Sequence, residues 1–338
     1  MLGKKFYINY LFILILLISI SRDSNAQDPQ FSQFYANALY LNPGFTGNTT
    51  QLRFASTYRN QWPSIPGGFN SYTAAFDYNI EAAKSGVGFL ATHDKSGSGG
   101  LRYTNIAGFY AAHLQLSRKL GLRPGLKLSY TLRDVDQSSL IFADQIARDG
   151  APTSLENIQE GIGYVDLGFG AVLAHLEKYW LGFSLDHLNR PNYSLLGGES
   201  ALPIKLSIHG GWNFEIDKPG SNYGTNTIRA IAHYKAQQDW DQFDIGGYYE
   251  AFPLVFGLWY RGIPGFKSYQ PGYANNDAIV MLLGMKVNDL RIGYSYDLTI
   301  SRLVSNTGGA HEISLIYEVA SRRKKRSRKR FLVPCAKF

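Results

Sequence analysis

Seven histidines, His93, His113, His175, His187, His209, His233 and His311, are spread over as many segments of this 338-residue chain. None takes part in the His-Glu-x-x-His spacing of a zinc hydrolase, and no Gly-x-Ser-x-Gly elbow marks a serine hydrolase. The single cysteine, Cys335, permits neither an intrachain disulfide nor a Cys-rich metal site. His209 and His233 fall on inward faces of neighbouring predicted strands, where they could pair, but polar side chains that only solvate an interior are the commoner case. Gly97-Ser98-Gly99-Gly100 lacks the strand-to-helix context and the Lys-Ser/Thr pair of a phosphate-binding loop, so it reads as a loop tip. Asp134, Asp136, Asp144 and Asp149 share the longest predicted loop, where oxygen ligands could hold Ca²⁺. Without the EF-hand's spaced Asp, Gly and terminal Glu, a solvated acidic loop is the better reading. No catalytic residue, cofactor, metal or small-molecule substrate is therefore expected.

The elements that carry these residues announce themselves by period. The chain has 35 Gly, 23 Tyr, 20 Phe and 5 Trp, a composition that favours strands and turns over helices. Beyond the N-terminus no apolar run reaches the roughly 18 to 20 residues of a membrane-spanning helix. From about Gln51 onward polar and apolar residues alternate with period two, the mark of strands whose faces meet different environments. Leu126, Leu128, Tyr130 and Leu132, for example, interleave with Lys127, Ser129, Thr131 and Arg133.

Fourteen strands are predicted, near 51–59, 70–80, 85–94, 101–116, 121–133, 161–176, 178–187, 204–216, 225–236, 239–250, 253–262, 276–287, 289–299 and 310–319. Most have the length a tilted strand needs to cross a bilayer core of roughly 30 Å. Connections after strands 2, 4, 6, 10 and 12 are tight; those after 1, 3, 5, 7, 11 and 13 are longer and rich in Gly, Pro, Asn and Ser. Outer-membrane barrels show this parity, with short periplasmic turns and long external loops. The links at 217–224 and at Gln237-Gln238 break it. A soluble sandwich also alternates. Polar faces rich in Gly, Ser, Thr and Asn, and aromatics near strand ends, favour the all-β class in its transmembrane form: an antiparallel up-and-down β-barrel of about 14 strands.

Four segments follow. Residues 1–26 read as a cleaved secretory signal, with Lys4 and Lys5 before an apolar run and small residues at Ser24-Asn25-Ala26. In residues 27–50 Asp28 can cap a helix beginning at Pro29, with Phe31, Phe34, Tyr35 and Ala38 on one face and Asn42-Pro43-Gly44 as the stop. That helix could plug the periplasmic mouth or rest on the rim. Residues 51–320 form the barrel. Residues 321–338 form a tail in which Arg322, Arg323, Lys324, Lys325, Arg326, Arg328, Lys329 and Arg330 concentrate charge. Residues 27–321 hold 22 basic and 25 acidic groups, so the basic balance belongs to the tail and the body offers no nucleic-acid stripe. The tail is equally a solvated run that only discourages misinsertion or a contact for anionic headgroups, acidic periplasmic machinery or cell-wall polymer. The loop with Phe266, Tyr269 and Tyr273 is a candidate protein-contact surface, headgroup-level aromatics being the plainer reading.

Asp28-Pro29-Gln30-Phe31-Ser32-Gln33-Phe34-Tyr35, then Leu41-Asn42-Pro43-Gly44-Phe45-Thr46-Gly47 and Asn60-Gln61-Trp62, resemble the opening of the PorP/SprF family of type IX secretion membrane proteins of Bacteroidetes. Gly308-Gly309-Ala310-His311-Glu312-Ile313-Ser314-Leu315 resembles its last strand, and Pro334-Cys335-Ala336-Lys337-Phe338 its ending. Gly44 stands where the family usually has Ala, and Ala336 where it commonly has Pro. The resemblance implies a non-enzymatic outer-membrane barrel accessory to type IX secretion, in contact with lipid and with secretion components. It would deliver or retain a cargo protein at the cell surface, gliding adhesins among such cargo. A porin-like or hydrophobic-solute channel is the alternative use of the same lumen.

Overall fold

The computed structural model describes residues 28–136, 140–149, 159, 161–175, 178–216, 226–238, 240–263, 275–301 and 307–319. Two compact units are present, Met1–Gln30 and Phe31–Phe338, and every element named below belongs to the second. Among the described residues there are fourteen long strands: β1 Leu52–Gln61, β2 Phe69–Ile80, β3 Ser85–Ser96, β4 Leu101–Ala112, β5 Leu120–Asp134, β6 Gly161–His175, β7 Tyr179–Asp186, β8 Lys205–Glu215, β9 Thr227–Gln237, β10 Trp240–Ala251, β11 Leu254–Gly262, β12 Asn276–Val287, β13 Leu290–Thr299 and β14 Ala310–Val319. Leu114–Gln115 continues β4 beyond a break at His113 and pairs with β5. Each strand pairs antiparallel with its sequence neighbours, and β14 closes on β1 from Leu52↔Val319 to Gln61↔Ala310. Closure leaves no open edge, the condition for a sheet to exist in hydrocarbon.

The two faces of the sheet are inverted relative to a water-soluble protein. On β5, Leu128 is 58% exposed while its neighbour Ser129 is 3% exposed, and Arg123, Thr131 and Arg133 are buried beside Leu126, Tyr130 and Leu132, which are not. The same inversion runs round the wall, with Phe54, Phe89, Leu181, Phe256, Leu283 and Leu315 outside and Arg53, Asp77, Asp186, Arg261, Asp297 and Glu312 inside. An oily exterior over a charged interior is stable only where the exterior meets lipid. Among the described residues no helix is long and apolar enough to cross a membrane. Leu128→Arg, near the middle of β5, should therefore cost about 2–4 kcal/mol, read as a lower urea midpoint for the barrel folded into vesicles. A loss no larger than that of Leu128→Ala would speak against a lipid-facing position.

The connections gather at two ends. The end reached by Gln61, Ser96, Asp134, Asp186, Gly262 and Thr299 carries the long links and is called the loop end. The end reached by Ile80, Ala112, His175, Ala251 and Val287 carries mostly tight ones and is called the turn end. Gln238, with φ of 53°, turns the chain between β9 and β10 at the loop end. Residues 217–225, part of the long link at the turn end, lie outside the described residues.

Before β1 the structure corrects the helix expected from Pro29. Only Ala38–Leu41 is helical (α1), Asn37 occupies the N-cap position, and no side chain caps it, so Asp28 has no capping role. The reason is local competition for hydrogen bonds. The N–H groups of Ser32 and Gln33 bond at 2.7 and 2.9 Å to the Glu312 carboxylate, a charged acceptor stronger than a helical carbonyl. The three-and-four spacing of Phe31, Phe34, Tyr35 and Ala38 answers to a surrounding wall rather than to one helix face. Asn42-Pro43-Gly44 does stop α1: Asn42 is extended, and Pro43–Phe45 forms a short 3-10 turn. In the long loop after β5, Ala143–Ala147 is a second short helix, α2.

Candidate functional site

Residues 31–49 are almost all buried, and their partners come from inward side chains all round the wall: Arg59 on β1, Thr73 and Asp77 on β2, Arg123 on β5, Ser184 on β7, His209 on β8, Arg261 on β11, Asp297 on β13 and Glu312 on β14. A segment touching that many strands of a closed barrel lies inside it. Its direction is readable from the register. Ser32 and Gln33 meet Glu312, near the loop end of β14, whereas Thr49 and Thr50 meet Glu318, beside its last residue at the turn end. The plug thus descends from the loop-end half of the lumen to the turn end before the chain rises again as β1.

Its upper end is a charged latch. Arg59 donates from Nη1 to Ser32 Oγ at 2.7 Å and to Glu312 at 3.1 Å, and from Nη2 to Asp297 at 2.9 Å and to Gln61 Oε1 at 3.1 Å. Arg261 donates to Ser32 Oγ at 2.8 Å, to Asp297 at 3.0 Å and to Asp244 at 2.8 Å. Ser32 in turn donates to Asp297 at 2.5 Å. One serine hydroxyl therefore sits between two guanidinium groups and a carboxylate, every one of them buried. Gln33 is saturated beside it. Its Nε2 donates to Ser295 Oγ and to the Glu312 carbonyl, and its Oε1 accepts from Ser314 and Tyr35. The wall gives it room at Gly293, where a Cβ would stand 2.7 Å from Gln33 Oε1.

Below the latch the plug is held by aromatic contact. Phe34 meets Trp259 edge-on at 4.8 Å, and Tyr35 meets Tyr248 at 5.0 Å.

The lower end is a steric lock. Asn42 Nδ2 donates to the Phe183 carbonyl at 2.8 Å and to the Ala171 carbonyl at 3.3 Å. It also lies 2.9 Å from His209 Nε2. Asn42 Oδ1 accepts from Gly44 N at 2.7 Å, and Arg123 donates to the carbonyls of Gly44 at 3.1 Å and Thr46 at 2.9 Å. Asp77, paired with Arg53 at 2.7 Å, accepts from Gly47 N at 2.9 Å. Gly47 has φ of 67°, which its lack of a side chain makes inexpensive. Phe45, fully buried, packs on Trp180 and His209. Wall glycines admit this backbone: a Cβ on Gly125 would come 2.6 Å from Gly44 N, and one on Gly86 would come 2.5 Å from Thr46 O. Asn42→Leu leaves Gly44 N and the Phe183 carbonyl without these bonds, and should cost about 1–3 kcal/mol, measured by urea titration. A neutral result would mean that the plug is held elsewhere.

The family-motif residues separate into those the plug unites and those it does not. Gln33, Phe34, Tyr35, Asn42, Pro43, Phe45, Gly47 and Glu312 meet in the latch, the lock or the contacts between them. Gln61 joins through Arg59. Trp62, with φ of 59°, donates from its backbone N–H to the Gly309 carbonyl at 2.8 Å and so ties the β1–β2 loop to the β13–β14 loop. His311 points away from the lumen and bonds to the Tyr294 hydroxyl at 2.8 Å. Asp28 and Pro29 lie in the first unit. Phe266, Tyr269 and Tyr273, and Arg322 to Arg330, lie outside the described residues.

His209 and His233 are directly opposed on β8 and β9, with ring centroids 6.3 Å apart. His233 Nε2 is 2.6 Å from Ser207 Oγ, but its Nδ1 is 3.7 Å from Asp244, too far for the orienting bond of a nucleophilic triad. Phe34 packs on the ring at 5.5 Å, and Asp244 is bonded to Arg261. The loop aspartates pair locally, Asp134 with Arg102 and Asp144 with Arg148. Among the described residues no group of three or more His, Cys, Asp or Glu could hold a metal ion. Arg59, Arg261, Asp297, Arg123 and Asp77 were not singled out from the chain. The available signal was their parity, since each is in phase with the inward residues of its strand, and an inward charge needs a counter-charge.

The family described as type IX secretion system membrane protein PorP/SprF matches residues 23–317. No curated protein matches the chain. Among solved structures it is similar to the Acinetobacter baumannii outer membrane protein Omp33, at 10% identity over 81% of this chain and 100% of that one, with a TM-score of 0.43. It is also similar to the CymD monoaromatic hydrocarbon channel, at 12% identity over 85% and 94% with a TM-score of 0.48. The P. putida toluene transporter TodX stands at 11% identity over 84% and 94%, with a TM-score of 0.47.

Proposed function

Because this chain belongs to the PorP/SprF family of type IX secretion system membrane proteins, we propose that it is a non-enzymatic outer-membrane barrel that delivers or anchors a secreted cargo protein, such as a surface adhesin, at the cell surface. The observation that favours this over a channel is the plug. Phe31 to Thr49 fill the lumen with buried, multiply bonded residues, and a solute pathway would need that space. In this reading residues 1–26 are a cleaved export signal, residues 27–50 the plug segment, 51–320 the barrel and 321–338 a periplasmic tail. The loop end faces the exterior. The loop with Phe266, Tyr269 and Tyr273 meets cargo, and Arg322, Arg323, Lys324, Lys325, Arg326, Arg328, Lys329 and Arg330 meet an acidic component of the secretion machinery by salt-sensitive attraction.

Deletion should abolish surface display of at least one secreted protein, and cross-linked pull-down from detergent-solubilised outer membranes should recover that protein or a secretion component. A deletion strain that keeps its full set of surface proteins but loses uptake of a solute would replace this reading with the porin-like or hydrophobic-solute channel.

A further inference from the structure

The lumen wall carries cations on many strands, and most of them meet a carboxylate: Arg53 with Asp77, Arg229 with Glu250, Arg291 with Glu318, and Lys127 and Lys205 with Asp186. Lys235 on β9 differs. It is in phase with the inward Arg229, Ile231 and His233, and among the described residues no carboxylate lies within ion-pair distance of it. The charges that act on it are Asp244 and Asp277, which attract it, and Arg261 and Lys205, which repel it; Asp277 lies 3.8 Å from Arg261, and Asp244 is already committed. Its Oδ1 accepts from Arg261 at 2.8 Å, and its Oδ2 accepts from Gln242 at 2.8 Å. The amine is therefore left without a carboxylate of its own.

The placement suits a ligand. Lys205 is opposite Gln237, and Lys235 is opposite Ser207, so the two lysines are diagonal neighbours on one inward face, with stems about 7–8 Å apart, a gap that one oxyanion can bridge. Lys205 is fixed by Asp186 at 3.3 Å and by the Tyr40 ring at 5.1 Å. Lys235 lies on the loop-end side of His233, against which Phe34 of the plug packs. The amine thus stands above the apolar body of the plug, in the half of the lumen nearer the long loops. A cation partly removed from water is costly unless an anion meets it.

We propose that Lys235, with Lys205 beside it, forms a binding site in the loop-end half of the lumen for an anionic oxygen group, a phosphate or a carboxylate. The proposal is independent of the secretion reading, because it concerns the purified barrel alone. The group could belong to a free anion or to the end of a larger molecule entering between the loops.

The full chain, folded in detergent, is melted in phosphate, acetate and chloride at equal ionic strength. Phosphate or acetate should raise the melting temperature above that in chloride. Lys235→Met should melt higher than the parent in chloride, because an unpaired amine is no longer removed from water, and should lose the response to phosphate. As a measurement that needs no variant, acylation of the Lys235 amine, followed by mass spectrometry, should be slowed by the effective anion and not by chloride. Protection by phosphate alone assigns a phosphate source, and protection by acetate alone a carboxylate. Equal melting in all three salts, an undiminished shift in Lys235→Met, or unprotected acylation would overturn the site.

Discussion

Replacing Glu312 with Ala should loosen the upper half of the plug at a cost of about 3–5 kcal/mol, the usual penalty for breaking a buried charge network by removing one partner. Two backbone N–H groups, those of Ser32 and Gln33, and one guanidinium, that of Arg59, converge on this carboxylate. Arg59 would keep Asp297, so the charge itself is only half abandoned, and the amides carry much of the loss. Glu312→Gln should therefore lose less than Glu312→Ala, since an amide oxygen still accepts. Barrel unfolding followed by heat-dependent gel mobility gives the total cost. Limited proteolysis of the folded protein reports release of the segment around Ser32. A double-mutant cycle between Glu312→Ala and Arg59→Ala should show strong coupling. Independent, additive losses would mean that the latch is not one network.

Gly125→Val should expel the lower end of the plug and convert a silent barrel into a conducting one. The added carbons at Gly125 would occupy the space of the Pro43 and Gly44 backbone, with Gly44 N only 2.6 Å from the first of them. Backbone cannot rotate aside as a side chain can, so the conflict exceeds the roughly 1–3 kcal/mol of ordinary overpacking. The strand itself is not the part that yields, because β5 is held on both sides by long ladders to β4 and β6. Planar-bilayer recordings should show conductance for Gly125→Val and for a chain lacking residues 31–49, and none for the parent. Gly108→Val is the matched control: Gly108 lies on the outward face of β4, and its nearest neighbour to a new Cβ is Leu128 O at 4.0 Å. If Gly125→Val is as silent as the control, the plug is not seated against that glycine.

Legibility followed the range of the interactions involved. The fourteen strands, the short and long connections and the stop at Asn42-Pro43-Gly44 depend on residues a few positions apart, and they stand where alternation and turn chemistry put them. The helix from Pro29 does not. Its apolar spacing is real, but Ser32 and Gln33 find in Glu312 an acceptor almost the whole chain away, and that contact displaces the helix to Ala38. His311 and Glu312 are adjacent in one motif yet have opposite fates, because alternation sends one outward to Tyr294 and the other inward to Arg59. Within the plug, whether the segment enters the barrel or caps its rim was not readable, since both placements bury the same apolar residues.

By itself the sequence determined a sheet with one lipid-facing and one polar side, the even number of its strands and the two kinds of connection between them. Those properties need only the pleat of a strand and the conformational preferences of Gly, Pro and Asn. Tertiary structure decided what fills the interior, which charges answer each other across it and in which direction the plug descends. Closing the sheet brings β1 against β14 and sets Arg59, Arg261, Asp297 and Glu312 around one serine. Partners so distant along the chain leave no periodic trace in it, because only the closed ring makes them neighbours.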